Sequence, residues 1–479
     1  MTNGYDAALV REAAPYLASW IEFQRGLLRT PGVQVAIRVG GDLVFSEAFG
    51  LADEPAGVPL RADHLFRIAS HSKTFTATSV LQLVQQGKIR LDDPIDRWVP
   101  EVADAEVGSV TVRELLGHQG GVIRDGLDTD FWQLMRDFPS REELIKLCRD
   151  HGRVFEPNEY FKYTNVGYSL LGMVIEAASG LSYHDYVCRH VIEPLGLTNT
   201  GPEYDPARRQ QYAAGHSGLL DGAEPRQAIG HIDTQAMASA TGFYSTAEDL
   251  TRYGAAHFFG DERLITDASK RLIQRRESTV VAHDKPQGRY GLGMDLTKIG
   301  DREWVGHSGG YPGHITRTYI DPAGGVVVSV LTNCIGGPAT QLADGVIKLL
   351  DLAAAAPAEN RLSDRIDAAG FTGRFANLMG AMDIALLGGR LVGLYAAAAD
   401  PTATWDELRP IDADTLELVA EAGFGPVGER VEIVRDADGK PELVRYCGSS
   451  RWPVEVFRQR RSAQIAAIGR PGGDLDDDR

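Results

Sequence analysis

The sequence predicts an α+β protein: an antiparallel sheet flanked by helices, with a helical subdomain set into it, followed by a small all-β, barrel-like domain. Three observations carry this prediction. Strand-like runs stand near both ends of the first 355 residues, and a helix-rich stretch separates them. Beyond residue 363 the chain turns to short alternating runs divided by Gly- and Asp-rich turns. A length of 479 residues exceeds a typical single domain, so the expected division is 1–355, 363–460 and an acidic tail, 461–479.

In chain order, residues 5–29 place Leu9, Ala13, Leu17 and Ile21 at helical spacing. VQVAIRVG (33–40) and DLVFSEAFG (42–50) flank a Gly-containing turn and read as a hairpin. SKTFTATSVLQLVQQGKI has a helical period, opening at Ser70 and closing near Gly87. Residues 88–290 read as mostly helical with long Gly- and Pro-rich connections. Strands are expected again at 302–307, 314–322 and 324–333, then a helix ending near 353 and a small-residue linker, AAAAPAENRL (353–362). The runs MDIALLGGRLVGLYA, TLELVA, ERVEIVRDADGKPELVRY and WPVEVFR build the β domain, and the tail RPGGDLDDDR is too polar to pack.

Composition excludes several classes of function. A net charge of −17 disfavours nucleic acid and anionic membrane, which require basic patches. No apolar run approaches the roughly 20 residues needed to span a bilayer. The first residues lack the basic and apolar segments of a signal peptide, so the expected location is cytoplasmic, with Cys148, Cys188, Cys334 and Cys447 as free thiols. His184, Cys188 and His190 do not share one helix face well, so no metal is expected, nor any other cofactor. The expected partner is a small-molecule or short-peptide substrate, and a homo-oligomer is compatible with the sequence.

Three motifs carry chemistry. Ser70-His71-Ser72-Lys73 opens a helix, where residues three apart share a face, so the amine can approach the hydroxyl. Free N–H groups at a helix start also favour a developing oxyanion. Tyr163-Thr164-Asn165 offers a phenol whose anion a neighbouring lysine would stabilise, and an amide that can donate to a substrate carbonyl. His307-Ser308-Gly309-Gly310 ends a strand; its glycines let substrate lie close, and a strand N–H can complete an oxyanion hole. Each has a plainer reading when taken alone: a Ser N-cap with a solvated Lys, or a buried Tyr beside a helix cap. Gly306 to Gly310 also matches the G-x-S-x-G nucleophile elbow, but a Pro-Gly turn and a strand follow Ser308 where an elbow needs a helix.

With their order along the chain, these motifs resemble the serine β-lactamase and penicillin-recognising superfamily, in its class C-like branch of D-aminopeptidases and esterases. LFRIASHSKTFTATSVLQLVQQGKIRLDDPIDRWVP, TVRELLGHQGG, YVCRHVIEPLGLTNT, ATGFYSTAEDLTRY and YGLGMDL extend the resemblance over about residues 8–353. It implies a β-lactamase/transpeptidase-like fold. It also implies Ser70 as nucleophile, Lys73 as base or proton relay, Tyr163 as proton exchanger and Asn165 as substrate holder. His307, where relatives carry lysine, would support Tyr163 and substrate electrostatically, only partly charged near pH 7. The backbone N–H groups of Ser70 and Gly310 would form the oxyanion hole, with Ser308 and Gly309 beside the substrate. A weaker resemblance likens the C-terminal domain to lipocalin-like barrels. The expected activity is an acyl-enzyme hydrolase, foremost a D-amino-acid-specific peptidase or amidase. Carboxylesterase or weak β-lactamase is the alternative, and an acylatable sensor or inert assembly protein the reading from another class.

Overall fold

A computed structural model describes residues 4–221, 224–283, 285–357, 360–362, 367–419 and 428–467. The chain divides into two compact units. One comprises Leu28–Asp344 with the residues before the first helix; the other joins Ala8–Leu27 to the chain from Gly345 onward.

The larger unit is built on a nine-stranded sheet with antiparallel neighbours throughout. Its order is Val58–Pro59, Asp42–Asp53, Gly32–Val39, Val326–Thr332, His314–Asp321, Arg302–Tyr311, Asp295–Ile299, Lys285–Tyr290 and Ser278–Ala282. The centre of this sheet therefore pairs the chain's early hairpin with its late strands: Val33 faces Thr332 and Thr332 faces Ile315. The all-buried pattern of Val326–Thr332 (VVVSVLT) fits a strand covered on both faces. The helix Ser72–Gln85 is buried almost all round, packed with Asn165–Ser179 in one core that includes Phe75, Leu81, Leu170 and Val174. A helix covered on every side shows little amphipathicity, and this one carries its only lysine into the interior.

The middle of the chain departs from expectation. Residues 278–299, read as the end of a helical stretch and its connection, contribute three strands of the sheet. KPQGRY is a polar strand exposed over its first residues and opened by Lys-Pro, so it lacks the apolar alternation that signals a half-buried strand. The expected strand 302–307 likewise runs on to Tyr311, because Gly309 and Gly310, which weaken strand propensity, are held by the neighbouring strand.

In the smaller unit eight strands, from Gly373–Asn377 to Ser449–Pro453, close into a barrel. Leu391, Leu408, Leu416, Val431 and Val444 are among its core residues. The helix Ala7–Leu27 contributes to this unit. Gln24 Nε2 donates to Ala396 O at 2.7 Å, and Arg374 holds Asp383 through two 2.8 Å bonds while stacking over Phe23. WPVEVFR is not a strand beyond Pro453: Val454–Ala467 is a helix. Its Arg-, Gln- and Ala-rich continuation outweighs the two-residue alternation, and Pro453 ends the strand at a point where a helix tolerates proline. This helix runs through residue 461, where the tail was expected to begin; residues 468–479 lie outside the described residues. The helix Ala339–Ala354 enters the expected linker, of which residues 358–359 also lie outside them. Among the described residues no helix is long and apolar enough to cross a membrane, and the four cysteines are free.

Candidate active site

Ser70 lies in a single 3-10 turn, Ala69–His71, that leads directly into the helix Ser72–Gln85. The turn is fixed from both sides. Before it, Phe66–Arg67 pairs with Tyr244–Ser245, and the Ile68 N–H donates to Phe243 O at 2.9 Å. After it, Ser72 Oγ donates to Ala69 O at 2.5 Å and accepts from the Phe243 N–H at 3.1 Å. These bonds hold Ala69 at φ +45°, a left-handed conformation costly for a residue with a Cβ. The helix thus begins two residues later than the sequence suggests, and the tight turn presents the half-buried Ser70 to a cleft.

Lys73 is buried, not solvated. Its Nζ lies 3.1 Å from Ser70 Oγ, 2.6 Å from Asn165 Oδ1 and 2.9 Å from Ala240 O. Burial pushes its pKa well below the usual lysine range, and the Asp125 charge opposes this only in part. A neutral amine has two hydrogens and one lone pair. In that form both hydrogens can go to the carbonyl oxygens of Asn165 and Ala240, which would leave the lone pair for the Ser70 hydroxyl.

Tyr163 reaches Ser70 from the other side, its OH donating to Oγ at 2.8 Å. Thr164 caps the helix Asn165–Ser179 by accepting from the Gly167 N–H at 2.8 Å, as the plainer reading of this motif expects. Burial raises the Tyr163 pKa, against a smaller lowering from its bond to Ser70 and from Arg124. The phenol is therefore protonated at rest. This reverses the expectation of an anion stabilised by the lysine, because dehydration outweighs the nearby charges.

His307 also differs from expectation. Burial, reinforced by Lys73, brings its pKa down to about 3, so it is neutral near pH 7. Nδ1 lies 2.6 Å from Ser308 O, an acceptor only, which places the ring hydrogen there and leaves Nε2 to accept from Tyr290 OH at 3.0 Å. Both ring nitrogens are thus committed, and the ring centre stands 6.4 Å from that of Tyr163. His118 was not singled out by the motifs. It is buried against Tyr163 with ring centroids 4.3 Å apart and accepts from the Thr164 N–H at 3.2 Å.

The strand Arg302–Tyr311 runs past the cleft. Its pairing with Asp295–Ile299 ends at Gly306, and Ser308 and Gly310, two residues apart on one exposed face, line the opening. Gly309 faces the other way, where a Cβ would come within 2.1 Å of Ile68 O and 2.5 Å of Thr316 Oγ1. Only glycine lets this strand lie so close to the turn carrying Ser70. No helix follows Ser308; the strand His314–Asp321 does.

The cleft has a volume of about 860 Å³. Ile123, Trp132, Phe161, Val280 and Tyr290 give it apolar walls, with Arg124, Lys162, Asp125 and Asp295 among its charged lining. Asp295 is engaged by Arg317, at 2.5 and 3.0 Å. Of the connections 119–135 and 200–235, the first supplies lining residues of the cleft and the second supplies none among those described. In the second loop Glu203 instead pairs with the buried Arg67 at 2.7 Å, and Tyr204 and Tyr212 pack with Leu65. Among the described residues no group of three or more His, Cys, Asp or Glu could hold a metal ion.

A family model described as Beta-lactamase matches residues 20–351. The chain is 32% identical over 300 residues to penicillin-binding protein 4* of Bacillus subtilis (strain 168), covering 59% of this chain and 64% of that protein. It is 29% identical over 363 residues to esterase EstB of Burkholderia gladioli, covering 65% and 89%. The solved structure of a D-stereospecific amidohydrolase from Streptomyces sp. matches with a TM-score of 0.57 at 26% identity, covering 68% of this chain and 96% of that one.

Proposed function

The chain belongs to the beta-lactamase family of serine hydrolases, and from that premise we propose that it hydrolyses amides, with D-aminoacyl amides or short peptides as its substrate class, through an acyl-enzyme on Ser70. The observation that carries the reading is the placement of Ser70 Oγ between Lys73 Nζ at 3.1 Å and Tyr163 OH at 2.8 Å. Lys73 takes the proton of Ser70 as Oγ attacks the substrate carbonyl. The Ser70 and Gly310 N–H groups receive the oxyanion. Tyr163 gives its proton to the departing amine and recovers one from the Lys73 ammonium. Water then attacks the acyl-enzyme, passing a proton to the neutral Lys73 amine. Ser70 Oγ leaves and is reprotonated by Tyr163, which recovers a proton from the Lys73 ammonium, so that the site returns to its starting state.

Amide substrates suit this arrangement because an amine leaves only when protonated, and a neutral phenol beside the nucleophile supplies that proton. The D-stereospecific amidohydrolase among the similar structures supports the stereochemistry. Esterase EstB favours carboxylic esters as the second reading. A neutral His307 offers no fixed cation for a β-lactam carboxylate, which places β-lactams last.

A panel of D- and L-aminoacyl p-nitroanilides, short acyl p-nitrophenyl esters and nitrocefin, run against wild type and Ser70→Ala, tests this. The highest kcat/KM is expected on a D-anilide. A higher value on the L-anilide or on nitrocefin contradicts the substrate class. A persistent adduct without turnover would make the protein a sensor.

A further inference from the structure

The hydrogen-bonding chain behind Lys73 has a member that none of the three motifs contains. Asn165 Nδ2 donates to Asp125 Oδ1 at 2.6 Å, while Asn165 Oδ1 lies 2.6 Å from Lys73 Nζ. Asp125 Oδ2 accepts from Arg124 Nε at 3.0 Å. The Asp125 side chain is 9% exposed and Asn165 is buried.

A carboxylate only accepts hydrogen bonds, so Asp125 decides which end of the Asn165 amide faces it. The nitrogen must turn to Asp125, and the carbonyl oxygen is thereby turned to Lys73. A carbonyl there binds an N–H of the amine and leaves its lone pair for Ser70. The opposite amide orientation would present an NH₂ to Lys73 and compete for that lone pair. We propose that Asp125 is a positioning residue that locks the Asn165 amide so that Lys73 is held as the base for Ser70. Asn165 is then first an orienting group for Lys73 and only second a contact for substrate. The inference rests on the serine-hydrolase reading above and adds to it a residue that acts on Lys73 through Asn165.

Lys73 is faced by Ser70 and Ala240 O, by the rings of Tyr163 at 4.8 Å and Tyr168 at 5.5 Å, and by Asn165. Its ammonium form opposes protonation of His118 and His307, and Asp125 and Arg124 act on Lys73 with opposite signs. Asp125 is thus the acid that favours the ammonium form. Its removal lowers the Lys73 pKa further, so the acid limb of kcat/KM, where Lys73 must lose its proton, moves to lower pH.

The test is the pH profile of Asp125→Asn, which keeps the size of the side chain but permits either amide orientation. For this variant kcat is expected to fall about 10- to 100-fold with KM nearly unchanged, and the acid limb to move down by about one unit. Asp125→Glu, retaining a carboxylate, is expected to keep the wild-type acid limb. In an Asn165→Ala background, Asp125→Asn is expected to cost almost nothing more, since the group it orients is gone. Wild-type kcat and profile in Asp125→Asn would overturn the proposal. So would a loss of rate with an unmoved acid limb, or effects of the two variants that multiply. Ser70→Ala run alongside separates the two claims: if it is inactive while Asp125→Asn is unchanged, the hydrolase reading stands and this inference falls.

Discussion

Burial strips the Lys73 amine of water, and the partners left to it besides Ser70 are two carbonyl oxygens. A side chain so placed is suited to act on Ser70 as a base rather than as a fixed cation. Lys73→Met is expected to lower kcat about 10²- to 10⁴-fold, the range for losing a general base. Lys73→Arg, which keeps a charge that cannot be lost, should be no better; steady-state rates that recover with arginine would contradict the assignment. Tyr163→Phe should separate two substrates. A p-nitroanilide needs its leaving nitrogen protonated, whereas p-nitrophenolate leaves unaided, so the anilide rate should fall far more than the ester rate. Equal losses would remove Tyr163 as the proton donor. The approach of Lys73 to Ser70 was legible in the sequence because residues three apart in a helical turn lie side by side, and the 3-10 turn that leads into the helix keeps that spacing. Asp125, His118 and Tyr290 were not, although TVRELLGHQGG and YGLGMDL stood out as phrases. Their partners Asn165, Tyr163 and His307 lie 17 to 45 positions away in the chain, and no local period marks such meetings.

The strand Arg302–Tyr311 and the turn Ala69–His71 form the two sides of the seat of Ser70, and their spacing depends on Gly309. Gly309→Ala would set a Cβ against the backbone oxygen of Ile68 and the hydroxyl of Thr316, neither of which is the free end of a flexible side chain. Overpacking of this kind costs about 1–3 kcal/mol, and the shifted strand should take catalysis with it, so both the melting temperature and kcat should fall. Gly310→Ala meets nothing nearer than 3.7 Å and should leave the melting temperature near wild type. Equal melting temperatures for the two variants would show that the approach of strand to turn is not tight. HSGG indicated that something must come close here, but not that the close neighbour of Gly309 is the backbone before Ser70 while Gly310 faces the cleft. The strands in 278–299 escaped notice for a related reason: a polar outer strand answers to its neighbours in the sheet, and its own residues advertise no buried face.

All twelve histidines lie between His64 and His314, so none falls in the barrel strands, and burial divides the two units by their response to acid. His71, His231, His257 and His307 are each held at a pKa of about 3 by burial. Above pH 6.5 these groups are neutral in folded and unfolded chains alike. As pH falls below that value the unfolded chain gains protons that the folded one refuses. Stability is therefore lost progressively down to about pH 3, at up to about 2 kcal/mol for each histidine by pH 5. In the barrel unit Asp383, raised by burial, acts with the opposite sign. Calorimetry at pH 7.5 and 5.0 should show the transition that abolishes hydrolysis moving to lower temperature more than the other; equal shifts would contradict this. The C-terminal barrel was legible at this scale because the change of texture near residue 360 is compositional. The assignment of Ala8–Leu27 to the barrel unit was not, since an amphipathic helix does not state which core it joins. The central claim, that Ser70 is the residue acylated, is tested most directly on the intact chain by mass spectrometry after a fluorophosphonate or a slow D-aminoacyl ester, followed by peptide mapping. One adduct is predicted, on the peptide holding Ser70, and none in Ser70→Ala; an adduct on the peptide holding Ser308, or one that survives in Ser70→Ala, would contradict it.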